Sequence, residues 1–399
     1  MKTLLFVDDE PRVLQGLQRQ LRPMHHEWDM HFVDDGRKAL EFMAAHPVDI
    51  VVTDMMMPGM DGSQLLAEVL KRHPQTVRIV LSGQAEREAV LRLVGPAHQY
   101  LSKPCDADEL RRAIARALSL RDLLGNERLK QLATRVKNLP TLPALQNQLA
   151  EELRKESPSV ERVAEIVSRD IGMTAKMLQL VNSAFFGLAQ PISNPLDAVI
   201  YLGLNTVRAL ALSVGIFSQY DEKLCRLFSL DLLARHSWTT GVLARGVAHM
   251  ERQDAKMLDQ CFLGGMLHDV GQLILAAGLH DEYSEVIAQA GRQNLTTWQA
   301  EQEFFGASHA AVGAYLLALW ALPNPIIEAV ALHHEPARCA TLEFSPAVIV
   351  HVADVFAHEL SGINTEVPPP QLDIGHLAKL GLAGRIEAWR AGCQELITA

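Results

Sequence analysis

Residues 49–62 read DIVVTDMMMPGMDG. A short apolar run ends on an aspartate and gives way to proline and glycine. Such a run, bounded by turn residues, predicts a buried strand. The same form recurs on either side as TLLFVD, MHFV, VRIVLS and HQYLS. Between these runs, the segments near 11–22, 36–45, 62–72, 85–93 and 107–119 carry helical spacing. Five alternations predict a five-stranded parallel sheet with helices on both faces.

In such folds ligands gather where the strands end. That edge carries Asp8-Asp9 after the first strand and Asp54 after the third. Ser82-Gly83 follows the fourth strand and Lys103-Pro104 the fifth. Three carboxylates at one edge repel one another unless a hard cation sits among them, and Mg²⁺ prefers oxygen ligands. An ammonium and a hydroxyl beside them suit a transferred phosphoryl group.

This pattern resembles the receiver domain of bacterial two-component response regulators, a flavodoxin-like α/β fold, over roughly residues 1–120. The resemblance implies that Asp54 accepts the phosphoryl group. It implies that Asp8, Asp9, Asp54 and the Met56 carbonyl hold Mg²⁺, and that Ser82 and Lys103 contact the phosphoryl oxygens. Tyr100 matches the aromatic switch position, and Lys103-Pro104 the cis-prone step. The implied upstream partner is a sensor histidine kinase.

The 399 residues are too many for one core. A net charge of −10 and the lack of a basic run argue against direct nucleic-acid binding. The five cysteines, Cys105, Cys225, Cys261, Cys339 and Cys393, are scattered without a CxxC, which suits a reducing cytosol. The first residues, MKTLLFVDDE, lack the apolar length of a signal peptide or a membrane span. The expectation is a cytoplasmic protein with no membrane partner.

A helical linker is expected over 121–138, interrupted by Gly125, either conveying motion, pairing two copies as a homodimer, or packing on its own domain. Pro140 and Pro143 mark the boundary of a second domain, 139–399. There SVERVAEIVSRD, MTAKMLQLVNSAFF, PLDAVIYLG, NTVRALALSVGIF and AAVGAYLLALW all show helical periodicity. Ser157-Pro158, Asn194-Pro195, Asn324-Pro325 and Ser345-Pro346 read as helix starts. An all-α bundle with a C-terminal helical extension is expected.

Ten of the sixteen histidines lie between 236 and 376. His236, His268-Asp269, His309, His333-His334 and Asp354 are expected in apolar helices. Neutral imidazoles with carboxylates suit zinc, iron or manganese. The ordered series resembles the HD phosphohydrolase superfamily, and its later histidines resemble the extended set of the HD-GYP phosphodiesterases. LPTLPAL, RDIGMTAKMLQLVNSAFFG, ISNPLDAVIYLGLNTVRALAL, HAAVGAYLLALWALP and LHHEP together resemble the HDOD domain, an HD relative regarded as a non-catalytic signalling module, over about 136–337.

Two departures weigh against catalysis. HDVGQ places Gln272 where HD enzymes carry lysine, and EPARCATLEFSP lacks a GYP signature. The resemblance therefore implies output through a downstream protein or a bound ligand such as a cyclic dinucleotide. The alternative is a receiver-regulated metal-dependent phosphodiesterase acting on a cyclic dinucleotide or nucleotide. His351 and His358 flank Asp354 at helical spacing, as substitute ligands or solvent-facing residues. Asn182 and Ser183 are read as bracing a turn, the tryptophans as packing, and VPPP at 367–370 as a surface loop.

Overall fold

A computed structural model describes residues 1–83, 96–103, 107–121, 126–136, 139–155, 157–183, 190–213, 229–339, 343–360 and 367–398, with Cys105 and Leu188. Pro104, the helix expected near 85–93, Gly125 and Cys225 lie outside the described residues.

The first unit holds β1 (Lys2–Val7), α1 (Pro11–Leu21), β2 (Trp28–Val33), α2 (Gly36–Ala45), β3 (Ile50–Asp54), α3 (Gly62–Arg72), β4 (Val77–Gly83), β5 (Gln99–Lys103) and α4 (Ala107–Arg121). The strands form one parallel sheet in the order β2-β1-β3-β4-β5. Alternate residues feed opposite faces, as the pleat requires. Leu5, Val7, Val51 and Val80 pack with Leu65, Leu66 and Val69 of α3. Leu4, Phe6, Val52, Ile79 and Leu81 pack on the other face with Leu17 of α1 and Ile114 of α4.

The rest is helical: α5 (Glu127–Arg135), α6 (Pro143–Arg154), α7 (Val160–Ser168), α8 (Ile171–Val181), α9 (Pro195–Leu202), α10 (Leu204–Ser213), α11 (Leu230–Met250), α12 (Ala255–Leu267), α13 (Val270–Gly278), α14 (His280–Gln293), α15 (Thr297–Phe305), α16 (His309–Leu319), α17 (Asn324–Leu332), α18 (Pro346–Leu360), α19 (Ile374–Lys379) and α20 (Ile386–Thr398). The stretch Ala255–Gly278 is long and apolar enough to cross a membrane by length and composition alone. Most of it is buried among the other helices, the place of a core helix.

Two of the four Ser/Asn-Pro steps start helices at the expected residue. Asn194 caps α9, accepting from the Leu196 amide with Pro195 behind it, and Pro346 opens α18. The other two shift. Ser159, not Ser157, caps the next helix through the Arg162 amide, and Asn324 is already inside α17. The His268-Asp269 pair also departs from expectation. It sits at a break, His268 ending α12 and Asp269 preceding α13. The break lets Gly271 approach the His309 carbonyl so closely that a Cβ there would collide with it.

The two units share a core. The α4 face of the sheet continues through Leu129 and Ala133 of α5 into the helical bundle. Among the described linker residues, α5 is packed on the helical part. Asn126, its N-cap, donates its amide Nδ2 to the Phe305 carbonyl at 2.7 Å. Arg128 grips Glu282 through two contacts, of 2.6 and 2.7 Å. Beneath α5 lies a polar knot. The Arg78 guanidinium, fully buried, donates to the Thr134 carbonyl at 2.9 Å and the Thr76 carbonyl at 3.0 Å. His98 accepts the Arg78 amide on Nδ1, leaving Nε2 to donate to the Thr134 carbonyl at 3.0 Å. Gln179 of α8 then donates to the His98 carbonyl at 3.3 Å.

Candidate functional site

The first candidate site is the strand edge. Parallel registers bring Asp54, Ser82 and Lys103 to neighbouring strand ends, pairing Asp54 with Leu81 and Ser82 with Ser102. Lys103 Nζ lies 2.7 Å from Asp8 and in contact with Asp54. The Met56 amide donates to Asp54 at 3.1 Å. Burial raises the Asp54 pKa above the ordinary value, although Lys103 works against it. One ammonium among these carboxylates leaves the pocket short of positive charge, which fits a divalent cation held by oxygen ligands. Asp9 is half-buried, next in the chain to the buried Asp8. Tyr100 is buried, three pairs inward from Lys103 on β5.

The second candidate site lies inside the helical part. The structure gathers His236 of α11, His268 and Asp269 at the α12–α13 break, His309 of α16, His333 and His334 after α17, and Asp354 of α18. His236 Nε2 lies 3.2 Å from His268 Nε2 and 3.0 Å from Asp354. Asp269 Oδ2 is 3.3 Å from His268 Nε2, and its Oδ1 is 3.0 Å from His309 Nε2. His334 Nε2 stands 3.1 Å from His309 Nε2. Three overlapping groups have ligand atoms close enough to share an ion: His236-His268-Asp354, His268-Asp269-His333 and His309-His333-His334.

Hydrogen bonds at the far nitrogens set this chemistry. His268 Nδ1 donates to the Gly265 carbonyl at 2.6 Å, and His333 Nδ1 to the Val330 carbonyl at 2.9 Å. Each ring therefore turns Nε2 towards the centre. His333 Nε2 is buried with no hydrogen-bond partner. A buried, orphaned imidazole nitrogen is costly in an apolar core and ordinary in a metal site. Burial opposes charge on His268 and His309, yet Asp269 and the other carboxylates outweigh it. His268 is raised well above its usual value, and His309 to about 10. His333 is pushed down to about 3 by burial and then by its charged neighbours.

Two flanking histidines part company. His351 Nδ1 donates to the His333 carbonyl at 2.6 Å and its Nε2 accepts the Asp373 amide at 2.9 Å. Both nitrogens are spent, so it braces the site. His358 instead reaches the centre, 3.5 Å from Asp354, with its ring on His236. Asn182 braces as expected, exchanging two hydrogen bonds with the Ile192 backbone. Trp298 packs against a histidine of the centre. It stacks on His334, centroids 5.5 Å apart, and walls a cavity of about 370 Å³ that opens onto Asp269, His309 and Asp354. VPPP is a partly exposed loop as expected, and Pro368–Pro370 form another wall of the cavity. Gln272 lines the same cavity, and among the described lining residues there is no lysine or arginine.

The sequence reading missed Glu301. It is fully buried, and its carboxylate accepts from the His309 amide at 2.6 Å, from His309 Nδ1 at 2.7 Å and from the Tyr283 hydroxyl at 2.8 Å. Its signal was an acid at a core position of QAEQEFF, next to Ala300.

A family model of the response regulator receiver domain matches residues 4–115, and one of the HDOD domain matches residues 139–336. The chain belongs to the response regulators that join a receiver domain to an HDOD domain. The crystal structure of the MmoQ response regulator from Methylococcus capsulatus shares the fold of this response regulator, with a TM-score of 0.50 and 24% identity over 64% of this chain and 98% of that one. An uncharacterised protein of Treponema pallidum is 24% identical over 54% of this chain and 41% of its own length. The response regulator protein PilR of Pseudomonas aeruginosa is 31% identical over 39% of this chain and 34% of its own. The chain thus spans less than half the length of these curated relatives.

Proposed function

We propose that a sensor histidine kinase phosphorylates this response regulator on Asp54 and that the HDOD domain delivers the output by binding a protein or small ligand. The observation that carries the reading is the position of α16. It packs against α4 of the receiver and against α5, and it begins with His309. The receiver thus bears directly on the helix that carries one member of the His/Asp centre.

In this reading the bond from phosphorus to the donor nitrogen breaks as one forms to an Asp54 carboxylate oxygen. Asp8, Asp9, Asp54 and the Met56 carbonyl would hold Mg²⁺, which when bound offsets charge on the phosphoryl oxygens. Lys103 exchanges its Asp54 contact for a phosphoryl oxygen, Ser82 donates to another, and Tyr100 and α4 repack. The test is phosphoryl incorporation from acetyl phosphate, followed by mass spectrometry of the intact chain. The wild type gains one phosphoryl group and Asp54→Asn gains none. Equal incorporation in both proteins defeats the reading.

The His/Asp centre fits one or two ions of zinc, iron or manganese, with Asp269 between the His236-His268-Asp354 group and the His309-His333-His334 group. The support is the orphaned His333 nitrogen and the inward-facing ring nitrogens of His268 and His309. A second reading, a metal-dependent phosphohydrolase, is favoured by the cavity opening onto this centre. Gln272 and a lining without lysine or arginine among the described residues weigh against it, since no ammonium or guanidinium is placed to hold a scissile phosphate. Turnover of a bis-aryl phosphate with added Mn²⁺ or Fe²⁺ decides; none with either ion removes the enzyme reading. The setting proposed is the cytoplasm.

A further inference from the structure

We propose that Glu301, held by Tyr283, is a positioning residue that fixes His309 as a ligand of the second cation at the His/Asp centre; the inference rests on the metal-centre reading above.

Among the described histidines of the centre, His268 and His333 turn their Nδ1 protons to backbone carbonyls of their own helices. His309 differs, because its Nδ1 faces a carboxylate at 2.7 Å. A carboxylate partner fixes the tautomer and makes the opposite nitrogen a stronger electron-pair donor, as a metal ligand requires. That opposite nitrogen, Nε2, is the atom 3.0 Å from Asp269 and 3.1 Å from His334.

Capping alone does not account for Glu301. Ser308 occupies the N-cap position of α16 yet makes no side-chain cap bond. Glu301 takes that role from the preceding helix, and the same Oε2 then holds the imidazole. Its other oxygen accepts from the Tyr283 hydroxyl, so all three contacts come from donors and the carboxylate cannot swing away without orphaning one. The Gly271 backbone presses on the His309 carbonyl from the other side. His309 is therefore fixed through its amide, its carbonyl and Nδ1, with Nε2 directed at the centre. A histidine serving only to pack needs no such restraint.

The experiment is a Co²⁺ titration of the full chain after chelation, followed by the visible d–d absorption, on wild type, Glu301→Gln and Tyr283→Phe, each with a thermal melt. Wild type is expected to bind in two phases. Glu301→Gln, close in shape, is expected to weaken one phase by about 10–100-fold and leave the other in place. Tyr283→Phe is expected to weaken the same phase by a smaller factor. Two unchanged phases in Glu301→Gln overturn the positioning role while the metal centre stands. If Glu301→Gln melts too early to titrate, an unchanged titration of Tyr283→Phe overturns it. Wild type that takes up no Co²⁺ overturns the metal centre and this inference together.

Discussion

Lys176 shows what single residues carry in this fold. It is buried in α8 with its ammonium 5.2 Å from the Trp320 ring. Burial lowers its pKa to about 7. The folded state therefore favours the neutral amine, and stability falls as pH drops from the ordinary lysine range through about 7. Lys176→Met keeps an unbranched stem beside the indole and removes the charge. Its thermal midpoint should exceed wild type at pH 6, and the gain should vanish above pH 10.5, the ordinary lysine value. An offset that stays constant with pH contradicts this assignment. At this scale the strand-edge residues were legible, because Asp8, Asp54 and Lys103 follow recognisable apolar runs. Arg78 and His98 were not. A buried cation on a strand reads as an edge residue until its carbonyl partners, contributed from as far away as Thr134, are known.

Among the elements, α16 joins the two domains. It touches α13 and α17 within the helical domain, α5, and α4 of the receiver. Leu129 of α5 is fully buried where these meet. Leu129→Ala should cost about 2–5 kcal/mol of stability in chemical denaturation. The same variant should weaken the response of the helical domain to phosphorylation; full stability with an intact response removes α5 from the path. Helical periodicity located α16, α17 and α18 well, since their apolar stripes are long. It did not show that His268 and Asp269 straddle a break. An apolar run reads as continuous helix, and the close approach of Gly271 to His309, which places the break, is a tertiary contact. The packing partner of Trp298 was hidden for the same reason, because stacking on His334 depends on how α15 is carried past the centre.

For the whole molecule, the receiver and the helical bundle do not meet as two closed bodies. The sheet face under α4 shares its apolar core with α5 and α16, and the Arg78-His98-Gln179 knot ties β4 to α8. The α/β-then-α order was plain from strand alternation giving way to helical spacing. The shared core was not, because composition does not tell which faces meet. In a continuous core, a small change at one end is passed on as a change of packing state, since well-packed interiors are not continuously deformable. In the proposed function, the state of Asp54 reaches His309 through α4 and α16. The most direct measurement is hydrogen–deuterium exchange of the full chain with and without beryllofluoride, a phosphoryl mimic. Altered exchange is expected in α4 and in the first turn of α16, both absent in Asp54→Asn. A change confined to residues before α5, with α16 unaltered, would contradict it.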